Sequence, residues 1–286
     1  MKKYFSLIKF SHSIFALPFA VIGFLLASTT SLASFNLEKF VLMLACMVFA
    51  RSAAMAFNRY ADREYDGRNP RTKSREIPAG LVAARSALLL TIGCSLAFMV
   101  CTWFINPLCF YLSPVALVVV LGYSLTKRFT ALCHFVLGLG LSLAPIGAYL
   151  VISGHFAVEP VLFSLAVLTW VSGFDIMYAL PDSDFDIDEQ LHSVPAAMGR
   201  RNALRLSRFL HVCSAVLVII AGFHGHFGLF YWTGVLVYCS LLIYQHTLVR
   251  PADLTRLNLA FFTMNGVASV VFALFFIADH FLHIAL

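Results

Sequence analysis

The sequence predicts an all-α fold: a polytopic transmembrane helical bundle of about nine helices with its N-terminus in the cytoplasm. Three observations predict it. Of the 286 residues, 60% are hydrophobic and 12% charged, whereas a soluble domain carries about 25% charged residues. Apolar runs long enough to cross the bilayer recur along the whole chain, since about 20 such residues span the roughly 30 Å hydrocarbon layer. The basic residues then alternate with those runs in a way that one topology explains.

Taken in order, the runs fall near residues 13–32, 40–57, 87–104, 108–125, 132–151, 161–178, 209–223, 227–248 and 257–277. The first follows Lys2 and Lys3 and ends in Ser31-Leu32-Ala33, the outline of a signal peptide, but its length favours a retained helix. The seventh is the shortest. With Lys2, Lys3 and Lys9 inside, the loops after the second, fourth, sixth and eighth runs are also inside, and of 20 Lys and Arg only Lys39 falls on the far side. Cytoplasmic loops collect Lys and Arg, so the net charge of +6 is a product of topology. No basic stripe suggests nucleic acid, and no protein partner is evident. Seven cysteines stand singly without a CxxC pair, which argues against a disulfide framework or zinc. With no linker or charged tail, residues 1–286 read as one domain, capped by cytoplasmic polar segments at about 58–85 and 175–208.

Those two segments carry the chemistry. They hold ten of the 14 acidic residues: Asp62, Glu64, Asp66 and Glu76 in the first, and Asp175, Asp182, Asp184, Asp186, Asp188 and Glu189 in the second. In the first, Asn58, Asp62 and Asp66 follow an NxxxDxxxD spacing, which places three oxygen-bearing side chains on one helical face. Such a column suits a hard cation, because Mg2+ prefers one or two carboxylates completed by phosphate oxygens and water. In the second, Asp175, Tyr178, Asp182 and Asp186 follow DxxYxxxDxxxD. Asp175 lies inside the sixth run, where a lone carboxylate costs about 2.5 to 3.5 kcal/mol at the helix centre and less near its end. That cost indicates a polar cavity or a bound cation. Pro181 is expected to end or bend this helix. Two acidic columns repel at short range unless cations lie between them. Arg68, Arg71, Lys73 and Arg75 trail the first column, and Lys127 with Arg128 end the fourth helix on the same side. Arg binds phosphate bidentately and Lys acts as a point charge, so acids for metal and bases for diphosphate form one set.

At these residues the chain resembles the UbiA-type intramembrane aromatic prenyltransferases. The stretches Asn69-Pro70-Arg71-Thr72, Arg75-Glu76-Ile77-Pro78-Ala79-Gly80 and Leu191-His192-Ser193-Val194-Pro195 resemble its 4-hydroxybenzoate polyprenyltransferase branch, as does Lys9-Phe10-Ser11-His12 before the first run. The resemblance implies a central cavity opening to the membrane, and transfer of a polyprenyl group from its diphosphate to a ring carbon of an aromatic acid, in ubiquinone or menaquinone synthesis. It implies Mg2+ bridging the diphosphate to carboxylates matching Asp62, Asp66, Asp175, Asp182 and Asp186. Asn58, Arg71, Arg75 and Lys127 match positions near the diphosphate. Arg51 matches an arginine facing the acceptor, and Tyr123 and Tyr178 lie near the same place. Arg59, directly after Asn58, stands where many 4-hydroxybenzoate enzymes have an acid, and Pro181 replaces a residue that is often polar. The Asn-Arg pair with Asn-Pro-Arg-Thr looks more like a relative using a dihydroxynaphthoate acceptor. The implied location is the bacterial inner membrane, with the site facing the cytoplasm.

Two other readings remain at this level. A cation-coupled transporter would place its acids at mid-membrane depth in several helices, whereas here they gather at one surface. A transferase with a haem or lipid acceptor would share the first motif.

Overall fold

A computed structural model describes residue 7 and residues 15–28 and 35–282, and these are helical almost throughout. The helices are α1 (Leu17–Ala27), α2 (Leu37–Ala61), α3 (Arg63–Arg68), α4 (Ala84–Ile105), α5 (Pro107–Thr126), α6 (Cys133–Ser153), α7 (Val158–Tyr178), α8 (Ser183–Asp188), α9 (Val194–His224), α10 (Leu229–Leu248) and α11 (Asn265–Leu282). Seven of the segments are long and apolar enough to cross a membrane. The shorter α1 and the more polar α10, which carries Gln245 and His246, complete the expected succession of nine runs. Lys2, Lys3, Lys9 and the ends of the expected first run lie outside the described residues.

The helices begin and end where local chemistry dictates. Asn36 and Asn106 cap α2 and α5 by accepting from the backbone N–H of Lys39 and Cys109 at 2.9 and 2.8 Å, filling donors that a helix start leaves unpaired. Gly154 ends α6 in the left-handed region at φ 66°. One expectation needs correction. The seventh run, expected at 209–223, is the C-terminal half of a 31-residue helix whose first part carries Arg200, Arg201, Arg205 and Arg208. Those arginines hid the continuation from a hydrophobicity reading. A single non-helical residue, Gly199 at φ 77°, separates the first turn from the rest.

Packing is uneven. Around α7, Phe163, Val167 and Trp170 are fully buried against Phe19 of α1, Tyr231 and Tyr238 of α10 and Phe272 of α11. By contrast α2, α4 and α5 bury few of their residues; Leu96, Val100 and Val118 are each more than half exposed, as lipid-facing residues should be. The molecule is therefore a dense body, α1 with α6 to α11, and a thinner wall, α2 with α4 and α5. The cavity lies between them.

Candidate active site

Helix α2 ends at Ala61, but the Asn58-Asp62-Asp66 column survives the break. Asp62 stays near-helical at φ −91°, ψ 5°, and its N–H donates to Asn58 O at 2.9 Å while Asp66 N–H donates to Asp62 O at 2.8 Å. Asn58 Nδ2 also donates to Asp62 Oδ2 at 2.8 Å. Arg75 holds Asp66 Oδ1 at 2.7 Å, whereas Asp66 Oδ2 is buried without a hydrogen-bond partner. Burial, and next the Asp66 carboxylate, push the Asp62 carboxyl up to about 6. Both effects disfavour a second negative charge.

On the other side α7 stops at Tyr178, and Pro181 sits in a 3-10 turn over Leu180–Asp182. The proline has no N–H to extend the ladder. The turn hands Asp182 to the first segment: Asn69 Nδ2 donates to its Oδ1 at 3.2 Å, Arg71 Nε donates to Oδ1 at 2.9 Å, and Arg71 Nη2 pairs with Oδ2. Arg68 reaches Glu189 at 2.7 Å. Arg71 also lies over the Tyr178 ring, 5.0 Å from its centroid. The two acidic segments thus meet, with bases of one on acids of the other.

Beneath them opens a cavity of about 1390 Å³. Asn58, Asp62, Asp66, Arg71, Arg75, Lys127 and Asp182 line its cap, and Arg51, Tyr123, Asp175 and Tyr178 lie deeper. Arg51 Nε is buried there without a partner. Farther in, the wall is apolar and reaches Phe156, past the end of α6. Asp186, expected as a further metal-binding carboxylate, is placed differently. It is fully buried behind the lining, with Lys127 Nζ at 2.7 Å on Oδ1 and Ser193 Oγ donating to Oδ2 at 2.7 Å. The sequence reading missed His134, whose Nδ1 lies 2.7 Å from Asp175 Oδ2. Arg59, read from the sequence only as a departure from the family pattern, donates to Asn58 Oδ1 at 3.1 Å and faces Glu76 at 3.9 Å. A lone histidine on an apolar helix gives no local signal of its pairing with Asp175.

Among the described residues, no group of three or more His, Cys, Asp or Glu is placed to hold a metal by itself. The donors still fit Mg2+, which asks for one or two carboxylates and takes its remaining oxygens from phosphate and water. Asp62 and the unpartnered Asp66 Oδ2 on one wall and Asp182 on the other supply hard oxygens. Arg71, Arg75 and Lys127 supply charge for an anion between them.

A family model described as the UbiA prenyltransferase family matches residues 16–267. The chain is 34% identical over 245 residues to the 4-hydroxybenzoate octaprenyltransferase of Tolumonas auensis, covering 85% of each protein. Among solved structures it is similar to the apo structure of a UbiA homolog from Aeropyrum pernix K1, with a TM-score of 0.84, 31% identity, and 94% of this chain and 98% of that one covered. It shares the fold of a UbiA homolog from Archaeoglobus fulgidus bound to DMAPP and Mg2+, at a TM-score of 0.74 and 21% identity over 97% of this chain and 98% of that one.

Proposed function

The chain belongs to the UbiA prenyltransferase family, and from that premise we propose that it transfers a polyprenyl group from its diphosphate to a ring carbon of 4-hydroxybenzoate in ubiquinone synthesis. The observation that carries this reading is the meeting of the two polar segments, Asn69 and Arg71 on Asp182, at the mouth of a deep apolar cavity. A diphosphate fits the cap, a hydrocarbon tail fits the wall, and an aromatic acid fits between them. The Lys and Arg gathered in the cap segments support a cytoplasmic site, since cytoplasmic loops collect such residues, and the family resemblance supports a bacterial inner membrane.

Asp62, Asp66 and Asp182 would hold Mg2+ together with the diphosphate. When bound, the ion supplies Lewis-acid charge to the leaving group. Asn58 fixes Asp62, while Arg71, Arg75 and Lys127 neutralise the phosphate oxygens, and Asp186 with Ser193 aims Lys127. The allylic C–O bond then breaks, and its electron pair leaves with the diphosphate. Arg51, buried and unpartnered at Nε, pairs with the acceptor's carboxylate, and Tyr123 and Tyr178 flank its ring. The activated ring carbon forms the new C–C bond at the allylic carbon. Asp175, one turn deeper than Tyr178, receives the proton that the ring carbon loses, and aromaticity returns.

The test is direct. Purified protein in detergent with Mg2+ and octaprenyl diphosphate should yield ring-prenylated 4-hydroxybenzoate, and chelation should stop it. Product from dihydroxynaphthoate but none from 4-hydroxybenzoate would reassign the acceptor, the alternative that the Asn58-Arg59 pair and Asn69-Pro70-Arg71-Thr72 favour. No product with either would end the proposal.

A further inference from the structure

Residues 191–194 form a strap from α8 to α9, and their donors go to the site. Leu191 N–H donates to Asp186 O at 2.7 Å and His192 N–H to Lys127 O at 2.7 Å. Ser193 Oγ donates to Asp186 Oδ2 at 2.7 Å, and Val194 N–H donates to His134 Nε2 at 3.3 Å. The ring that receives this last bond is 3% exposed, and its other nitrogen meets Asp175 Oδ2 at 2.7 Å. The two bonds assign the tautomer. Nδ1 faces a carboxylate oxygen and must carry the hydrogen, while Nε2 faces a backbone donor and must offer its lone pair.

Neither helix is free to drift. Ser172 Oγ, on the α7 turn below Asp175, donates to His134 O at 3.3 Å. A Cβ on Gly138 would lie 2.4 Å from that same Oγ and 2.6 Å from Leu168 O, so α6 and α7 touch backbone to backbone beneath the pair. Of the Asp175 carboxylate, His134 takes Oδ2 and leaves Oδ1 to the cavity that both residues line.

We infer that His134 is a positioning residue for the transfer reaction: as the neutral Nδ1–H tautomer it clamps Asp175 Oδ2, aims Oδ1 at the acceptor, and ties that carboxylate to the strap that also holds Lys127 and Asp186. This rests on the proposed function for what Asp175 does, but the clamp itself is a matter of geometry. A histidine that merely filled the α6–α7–α9 junction would affect stability and leave the chemical step alone. A clamp affects the chemical step and can be replaced by another donor at Nδ1.

The experiment compares H134A, H134N and D175N in full-length protein, with prenyl diphosphate and acceptor varied separately. Losing an orienting partner should lower kcat in H134A about 10- to 100-fold, with little change in KM for the prenyl diphosphate. H134N, whose Nδ2 stands near the place of Nδ1, should recover most of kcat. On the D175N background, H134A should cost nothing more. Full activity in H134A, no recovery in H134N, or additive losses with D175N would each overturn the inference. Nitrogen-15 spectra of His134 test the clamp without turnover. The parent should show a neutral Nδ1–H ring whose signal moves in D175N, and H134A should speed hydrogen exchange at Val194. A ring protonated on Nε2, or a signal indifferent to D175N, would refute the clamp even in a preparation that transfers nothing. Intact clamp signals without prenyl transfer would refute the proposed activity instead.

Discussion

Asp182 carries the most contacts between the two segments, from Asn69 and Arg71, so its charge is the residue-scale test of the site. D182N keeps the shape and removes the charge. The expected loss in kcat/KM for the prenyl diphosphate is about 100-fold or more, the scale of removing one electrostatic contact to developing charge, with membrane insertion unchanged by fractionation. Wild-type rates in D182N would remove the carboxylate from the mechanism. Asp62 adds a pH dependence. Its carboxyl is raised to about 6 by burial and then by Asp66, against about 3.9 in the unfolded chain. A raised folded value means that the metal-free fold is stabilised below the unfolded value and loses that contribution as pH rises through about 6. A cation reverses the preference, because it needs the ionised form. The rise in melting temperature on adding Mg2+ should therefore be full near neutral pH and shrink as pH falls below about 6, and D62N should flatten that dependence. A Mg2+ effect equal at both ends of the range would count against Asp62 as a ligand.

At the scale of elements, the sequence was legible wherever the hydrophobic runs and the acidic spacing were local. The Asn58-Asp62-Asp66 column, the stop at Pro181 and most helix positions follow from neighbours three or four residues away. What was not legible joins distant parts. Asp279 of α11 accepts from the N–H groups of Gly228 and Tyr231 at 2.7 and 3.2 Å, capping the start of α10 from about 50 residues away. Nothing around Gly228 announces that partner. The burial of Asp186 is likewise invisible, since its partner Lys127 lies 59 residues away in the sequence. Glycine placement is similar: Gly173 lies in α7, where a Cβ would come within 2.5 Å of the His211 ring and 3.1 Å of Ser207 O, and Ser207 Oγ donates to Gly173 O at 2.7 Å. Helices α7 and α9 therefore approach closely behind the site. G173V should separate them at a cost of about 1–3 kcal/mol, read as a lower melting temperature in detergent together with lower activity. G93A is the control, since a Cβ there meets nothing within 4 Å. Equal behaviour of the two variants would show that the close approach does not matter.

For the whole molecule, uneven packing sets what can bind. The body around α7 is fully packed, so it gives α6 a rigid backing, and the opposite wall of α2, α4 and α5 faces lipid with little behind it. Helix α6 presents one face to the cavity along its length, through His134, Leu137, Gly140, Ala144, Gly147 and Val151. Its 21 residues span roughly 30 Å at 1.5 Å per residue. On the proposed reading a chain anchored by its diphosphate at the cap runs down this face, and Gly147 lies 13 residues, roughly 20 Å, below His134. A Cβ at Gly147 meets nothing within 4 Å, so the space beside it is open, and an aromatic side chain there would occupy the path without disturbing the backing helices. G147F should therefore lower kcat/KM for octaprenyl diphosphate about tenfold or more, the scale of one misfit in an apolar pocket, and leave geranyl diphosphate nearly unaffected because its short tail ends above the block. The assay is a side-by-side rate measurement with both donors and one acceptor. Equal losses with the two donors would mean that the tail does not follow α6, and equal retention would mean that it leaves the cavity above Gly147, through the thin wall and into the bilayer.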